Sequence, residues 1–308
     1  MRIPGLVAAW IATLFFALPA PAWNATGHRV IAAIAYDRLT PATRARVDDL
    51  IRAHPDYAAF AAGAPDDPAA RARWAFLAAS VWADNIRGRG ETRFYDETNK
   101  DAKPTPQLPG FPDMMKHGSW HYYDTPYTPD HAHAVKQSAP NAQTELPRLI
   151  KEIGKASPAY APYDLVWIEH MVGDVHQPLH CISRILRSMP EGDAGGNRVF
   201  VTPVGNLHGL WDGAPGRDAS DASVTRLAAE IAKEHPAPSQ IEINPKKWIK
   251  EGAELARVEV YTFGLEAGTR DHPIPLPESY VENARRIART QMAIAGYRLA
   301  AVLNDRLK

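Results

Sequence analysis

The 308-residue chain has a single cysteine, Cys181, so no disulfide can form within it. A chain of this length can bury a core large enough to do without one. Cys181, directly after His180, reads as a buried, inert thiol, with zinc ligation as the alternative. Neither sign of charge is in surplus, with 35 Lys and Arg against 35 Asp and Glu. That excludes a broadly basic surface that would draw nucleic acid or an anionic membrane by bulk charge. Any attraction for phosphate must come from something local. No apolar run after residue 22 is long enough to span a bilayer. No repeat, low-complexity tract or linker divides the chain, so one domain is expected.

What is present starts at the N-terminus. Arg2 is followed by an apolar run from Leu6 to Leu18, too short for a membrane span, and then by Ala20-Pro21-Ala22, a small-x-small cleavage site. The pattern predicts a signal peptide over residues 1–22, a domain over 23–308 with Trp23 as its new terminus, and a secreted or periplasmic protein.

The remainder reads as mainly α, with long loops and one small β-hairpin. Thr26 is placed to cap a helix over about Gly27 to Leu39, and Thr40-Pro41 opens a second to about Ala53. Helical patterning recurs over Ala69–Ile86, Thr144–Ile153, Asp164–His176, Ser223–Glu234 and Lys247–Phe263. Ser279-Tyr-Val-Glu282 has the form of a capping box for a last helix to about Leu303. Residues 88–140 hold many Gly, Pro and Asp and read as loop, with short strands around His121. Residues 192–205 read as a hairpin.

The densest chemistry lies in His170-Met-Val-Gly-Asp174-Val-His176-Gln-Pro178-Leu-His180. His170 and Asp174 are four apart, one turn apart on one helix face, and can grip one metal ion. His180 is ten residues beyond His170, about 15 Å along an unbroken helix. It cannot share that ion, and Pro178 ends or kinks the helix and frees the carbonyl of Asp174. The segment therefore points to more than one metal. A second His-x-x-x-Asp pair stands at His208 and Asp212. His28 lies five residues after Trp23, whose α-amine and carbonyl oxygen can close a five-membered chelate ring once the amine is deprotonated. Asp84 and His121 complete the set. Nitrogen and carboxylate donors without thiolates suit zinc in catalytic sites. Any one of these residues alone is unremarkable, and Asp84 can equally pair with Arg87. Together their spacings are hard to ascribe to chance. His176 fits a supporting or a surface role as well as ligation. His54, His117, His131, His133, His235 and His272 carry no such pattern.

These motifs resemble those of the zinc-dependent single-strand-specific nucleases, also called type I nucleases or nuclease/3′-nucleotidases. The resemblance runs from Trp23 to about Asp212. It rests on the terminal Trp with His five residues on, Trp-Ala-Asp, Trp-His, His-x-x-x-Asp-x-His-Gln-Pro-x-His, Gly-Gly-Asn and Asn-Leu-His-x-x-Trp-Asp. It implies one compact helical domain of the phospholipase C/nuclease type, with three Zn2+ ions in a cleft. One ion would be held by Asp84, His121, His170 and Asp174, and a second by Trp23, His28 and Asp174, with Asp174 as the bridge. The third would take His180, His208 and Asp212. The implied activity is endonucleolytic hydrolysis of single-stranded DNA and RNA to 5′-phosphorylated products, with 3′-nucleotidase activity. Asp84 and Asp174 would serve catalysis through the metals. Arg87 would contact the transition state and substrate, Asp124 would orient the nucleophile or a ligand, and Tyr122 would be the platform on which a base stacks.

The resemblance also has departures. The family's disulfide-bearing loops are missing, residues 125–142 do not match the eukaryotic base-pocket segment, and Gly213 stands where some members carry a polar side chain. The sequon at Asn24 adjoins the expected chelate, and glycosylation is not expected there. A related trinuclear zinc phospholipase C and a non-catalytic zinc-binding protein are the competing readings. The carboxylates here are all Asp and the Trp-to-His step is five, which favours the nuclease. Substrates would be single-stranded nucleic acid and 3′-nucleotides. No stable protein partner and no membrane span are expected, and the chain is expected to be a monomer.

Overall fold

A computed structural model describes residues 23–88, 90–155, 160–265 and 268–308. The leader expected over residues 1–22 lies outside them. The described chain is mainly helical, as expected. Its helices are α1 (Ala25–Tyr36), α2 (Pro41–Ala53), α3 (Tyr57–Phe60), α4 (Pro68–Ala79), α5 (Trp82–Asn85), α6 (Ala142–Glu152), α7 (Ala161–Asp174), α8 (Leu207–Asp212), α9 (Asp221–Glu234), α10 (Pro245–Leu255) and α11 (Glu278–Arg306). Every residue of α7 is buried, which marks it as the axis of the molecule. α1, α2, α5, α6 and α11 pack around it and share one continuous apolar core. Among the described residues no helix is long and apolar enough to cross a membrane.

The strands are short and serve the site. β1 (Thr125–Tyr127) pairs in parallel with β2 (Ile182–Arg184). Just before them, the Tyr123 N–H donates to the His180 carbonyl at 2.9 Å, which fastens the His121 segment to the His180 segment. β3 (Phe200–Thr202) and β4 (Gly205–Asn206) form a hairpin over 200–206, at the end of the stretch expected over 192–205, whose first residues form turns instead, and β5 (Ile274–Pro275) adds to β3 in parallel. The hairpin delivers the chain into α8, where Asn206 accepts a hydrogen bond from the Gly209 N–H and caps the helix.

Four other local expectations differ from what forms. Asn24 caps α1, accepting from the Gly27 N–H at 3.2 Å, because the helix starts at Ala25 and Thr26 is buried inside it. No capping box forms at Ser279: α11 starts one residue earlier, at Glu278, after the extended Pro277. The stretch expected as one helix over Ala69–Ile86 is two, α4 and α5, broken at Ser80 and Val81. The last turn expected of Lys247–Phe263 is a π-helical segment, Ala256–Val260, appended to α10. At Pro178 the expectation holds. α7 stops at Asp174, and the freed Asp174 carbonyl accepts from the Gln177 N–H at 2.9 Å.

Candidate metal centre

α7 carries His170 and Asp174 on one face, both fully buried. α1 presents His28 to the same spot, its ring stacked on that of His170 at 4.1 Å between centroids. The contact depends on Gly173, because a Cβ there would lie 2.6 Å from His28 Nδ1. His121 ends a short 3-10 turn, Gly118–His121, and Asp84 sits in α5. Four donor atoms converge. Asp174 Oδ2 lies 3.0 Å from His121 Nδ1 and 3.3 Å from His170 Nε2. Asp84 Oδ1 lies 3.9 Å and 3.7 Å from the same two nitrogens. A tetrahedral ion with bonds of 2.0–2.1 Å sets its donors about 3.3 Å apart, so the spacing is that of one coordination shell. The other Asp174 oxygen, Oδ1, faces elsewhere, 3.4 Å from His28 Nε2. The two oxygens of one carboxylate thus face different histidines.

A further group stands apart. His180, His208 and Asp212 bring their donor atoms within 4.8 Å of one another. His208 Nε2 is 3.5 Å from Asp212 Oδ2 and 3.1 Å from His180 Nε2.

The tautomers of three histidines follow from their backbone partners. His170 Nδ1–H donates to the Ser80 carbonyl at 2.8 Å, which the break between α4 and α5 leaves free. His180 Nδ1–H donates to the His121 carbonyl at 2.8 Å, and His208 Nδ1–H donates to the Gly195 carbonyl at 2.6 Å. Gly195 has φ +60°, and a Cβ on it would lie 2.4 Å from the Leu179 carbonyl oxygen, so the Gly-Gly turn is required for that last bond. With Nδ1 protonated, each Nε2 is a bare lone pair. At His180 and His208 two such lone pairs lie 3.1 Å apart, an arrangement that a bound cation satisfies. Among the atoms that face these groups, His28 Nε2, Asp174 Oδ1 and Asp212 Oδ2 are buried with no hydrogen-bond partner. The residues present therefore fit metal ions.

Electrostatics agree. Burial pulls the His28 and His208 imidazoles down to about 4, and holds His121 and His180 well below the ordinary value, so all are neutral ligands at pH 7. Burial also pushes the Asp174 and Asp212 carboxyls well above the usual carboxylate range, a state that a bound dication reverses.

The other expected site residues lie around this centre. Trp23 is fully buried, and the next residue's N–H donates to the Asp212 carbonyl at 3.1 Å, so this segment runs beside the group of His180, His208 and Asp212. The Asn24 side chain is committed, capping α1 and donating to the Gly216 carbonyl. Arg87 Nη1 is 3.5 Å from Asp84 Oδ1, and its charge is felt by His121, His180, His208, Asp174 and Asp212. Tyr122 is half-buried, and burial followed by Asp124 raises its phenol. The Asp124 carboxyl is raised to about 7, by burial first and then by Asp193, with Arg198 opposing. His176 belongs to neither group: its ring is buried, donating from Nδ1 to the Val172 carbonyl at 2.6 Å and accepting at Nε2 from Arg298 at 3.0 Å. Cys181 is buried, with its thiol pushed well up by burial. Sequence reasoning passed over the carbonyls of Ser80, His121 and Gly195. It also passed over Gln177, whose amide donates to Asp212 Oδ1 at 2.7 Å.

Comparison with known proteins is consistent with this geometry. A family profile described as S1/P1 Nuclease matches residues 23–308. Nuclease S1 of Aspergillus oryzae is 26% identical over 159 residues, covering 46% of this chain and 53% of that protein. Endonuclease 2 of Arabidopsis thaliana is 28% identical over 158 residues, covering 46% of this chain and 50% of that protein. The chain thus aligns with about half the length of these curated relatives.

Proposed function

This chain belongs to the S1/P1 nuclease family, and from that premise we propose that it is a secreted or periplasmic zinc-dependent hydrolase. It cleaves phosphodiester bonds of single-stranded DNA and RNA to leave 5′ phosphates, and it removes phosphate from 3′-nucleotides. Asp84, His121, His170 and Asp174 hold one Zn2+. The Trp23 amine and carbonyl, His28 and Asp174 hold a second. His180, His208 and Asp212 hold a third. The observation that carries this reading is Asp174, whose Oδ2 faces His121 at 3.0 Å while its Oδ1 faces His28 at 3.4 Å. When bound, the ions supply positive charge for the phosphoryl group and a water that ionises near neutral pH.

The chain's own residues do the rest. Asp174 fixes the spacing of the paired sites. Arg87 adds a fixed cation beside them, aimed at charge that develops on phosphate. Tyr122 offers an aromatic face to an unstacked base, which restricts the enzyme to single strands. Asp124 orients the nucleophile or a ligand. The balanced net charge leaves the centre itself as the attraction for phosphate. The protein works as a monomer without a protein partner.

The test sets zinc-loaded protein against single-stranded DNA, duplex DNA and phosphatidylcholine vesicles. Cleavage of the single strand to 5′-phosphorylated ends, abolished by chelator, is expected. Turnover of the lipid alone would favour a phospholipase C, and three bound zincs without turnover a zinc-binding protein.

A further inference from the structure

Gln177 is fully buried where α7 gives way to the turn Pro178–His180. Its side-chain Oε1 accepts from the Leu179 N–H at 2.6 Å. A backbone N–H can only donate, so the amide end facing it is the oxygen. The NH2 end must then face Asp212, to whose Oδ1 it donates at 2.7 Å. Its backbone N–H donates to the Asp174 carbonyl at 2.9 Å. One residue thus touches the carboxylate of one donor group and the main chain of another.

Asp212 has its backbone already held. It ends the six-residue helix α8, and its carbonyl accepts from the Asn24 N–H. What remains free is rotation of the carboxylate. With Oδ1 taken by Gln177, Oδ2 is the oxygen left buried without a partner, 3.5 Å from His208 Nε2. The three histidines are oriented by backbone carbonyls, whereas this carboxylate is oriented by a side chain that can be changed.

We propose that Gln177 is a positioning residue that sets the Asp212 carboxylate for the ion between His180, His208 and Asp212, and so sets that ion's affinity independently of the other two. The proposal rests on the three-ion reading above. Outer partners of metal ligands are worth about 10–100-fold in affinity, and a change confined to one subsite is the signature of such a role.

Gln177→Met keeps length and removes the donor. Gln177→Glu keeps the acceptor for Leu179 and turns a carboxylate toward Asp212. Zinc release from each loaded protein is followed against a chromogenic chelator. Zinc-edge anomalous scattering from crystals identifies the ion lost. The ion at Asp212 is expected to leave about 10–100-fold more readily, with the other two at wild-type affinity. Wild-type affinity for all three ions, or equal weakening of all three, overturns the proposal. If the Met variant does not fold, the Glu variant decides alone. Wild-type protein without an ion at His180, His208 and Asp212 would instead remove the three-ion reading beneath it.

Discussion

Asp174 concentrates the chemistry of this protein in one side chain. It is fully buried, yet Oδ1 has no hydrogen-bond partner and Oδ2 faces His121 and His170. A buried carboxylate in that state is costly unless cations complete it. Asp174→Asn keeps the shape and removes the charge. It is expected to lose two ions together and to lower activity by more than the roughly 100-fold typical of an outer-shell change. Elemental analysis beside an activity assay checks this, and a variant with three zincs and normal turnover would refute the bridge. At this scale much was legible, because His-x-x-x-Asp spacing is a property of the helix itself. The tautomer-fixing carbonyls of Ser80, His121 and Gly195 were not, since a carbonyl has no residue identity to read. Gln177 was hidden for a related reason. Its partner Asp212 lies 35 positions away, and only the fold joins them.

The elements turn residue types into geometry mainly through where they stop. α7 ends at Asp174, and the turn beyond it carries His180 to a separate donor group. The break between α4 and α5 frees the Ser80 carbonyl for His170. Pro178 announced the first stop in the sequence. The second had no Gly or Pro to mark it, and Ala69–Ile86 therefore read as one helix. At Thr26 and Ser279 the helix starts lie two residues earlier than expected: Asn24 caps α1, and Pro277 stands before α11 with no side-chain cap.

α7 also carries a stability cost that can be measured. Asp164, in its first turn, is 7% exposed, and burial raises its carboxyl from 3.8 to about 6. Both folded and unfolded chains are protonated there below pH 3.8. Between that value and about 6 only the unfolded chain ionises, so stability falls, and above 6 the full loss is present. Asp164→Asn is expected to gain about 1–3 kcal/mol over wild type at pH 7.5 and much less at pH 4. Urea unfolding of both proteins at the two pH values checks the sign. A gain at pH 4 as large as that at pH 7.5 would mean that ionisation is not the cause.

Over the whole molecule, donors from α1, α5, the His121 turn and α7 gather in one cluster, and those of the His180 turn and α8 in another. The helical class was legible from periodicity. The convergence was not, because the path between Arg87 and Ala142 has little regular structure, and it is the pairing of β1 with β2 that brings His121 to His180. A chain with 35 residues of each charge sign offers phosphate no general attraction. The most direct test is the zinc content of protein that begins at Trp23, measured by elemental analysis after removal of loosely bound metal. The account predicts three ions per chain, falling to two when one extra residue precedes Trp23. One ion or none per chain, or three ions in both forms, would contradict it.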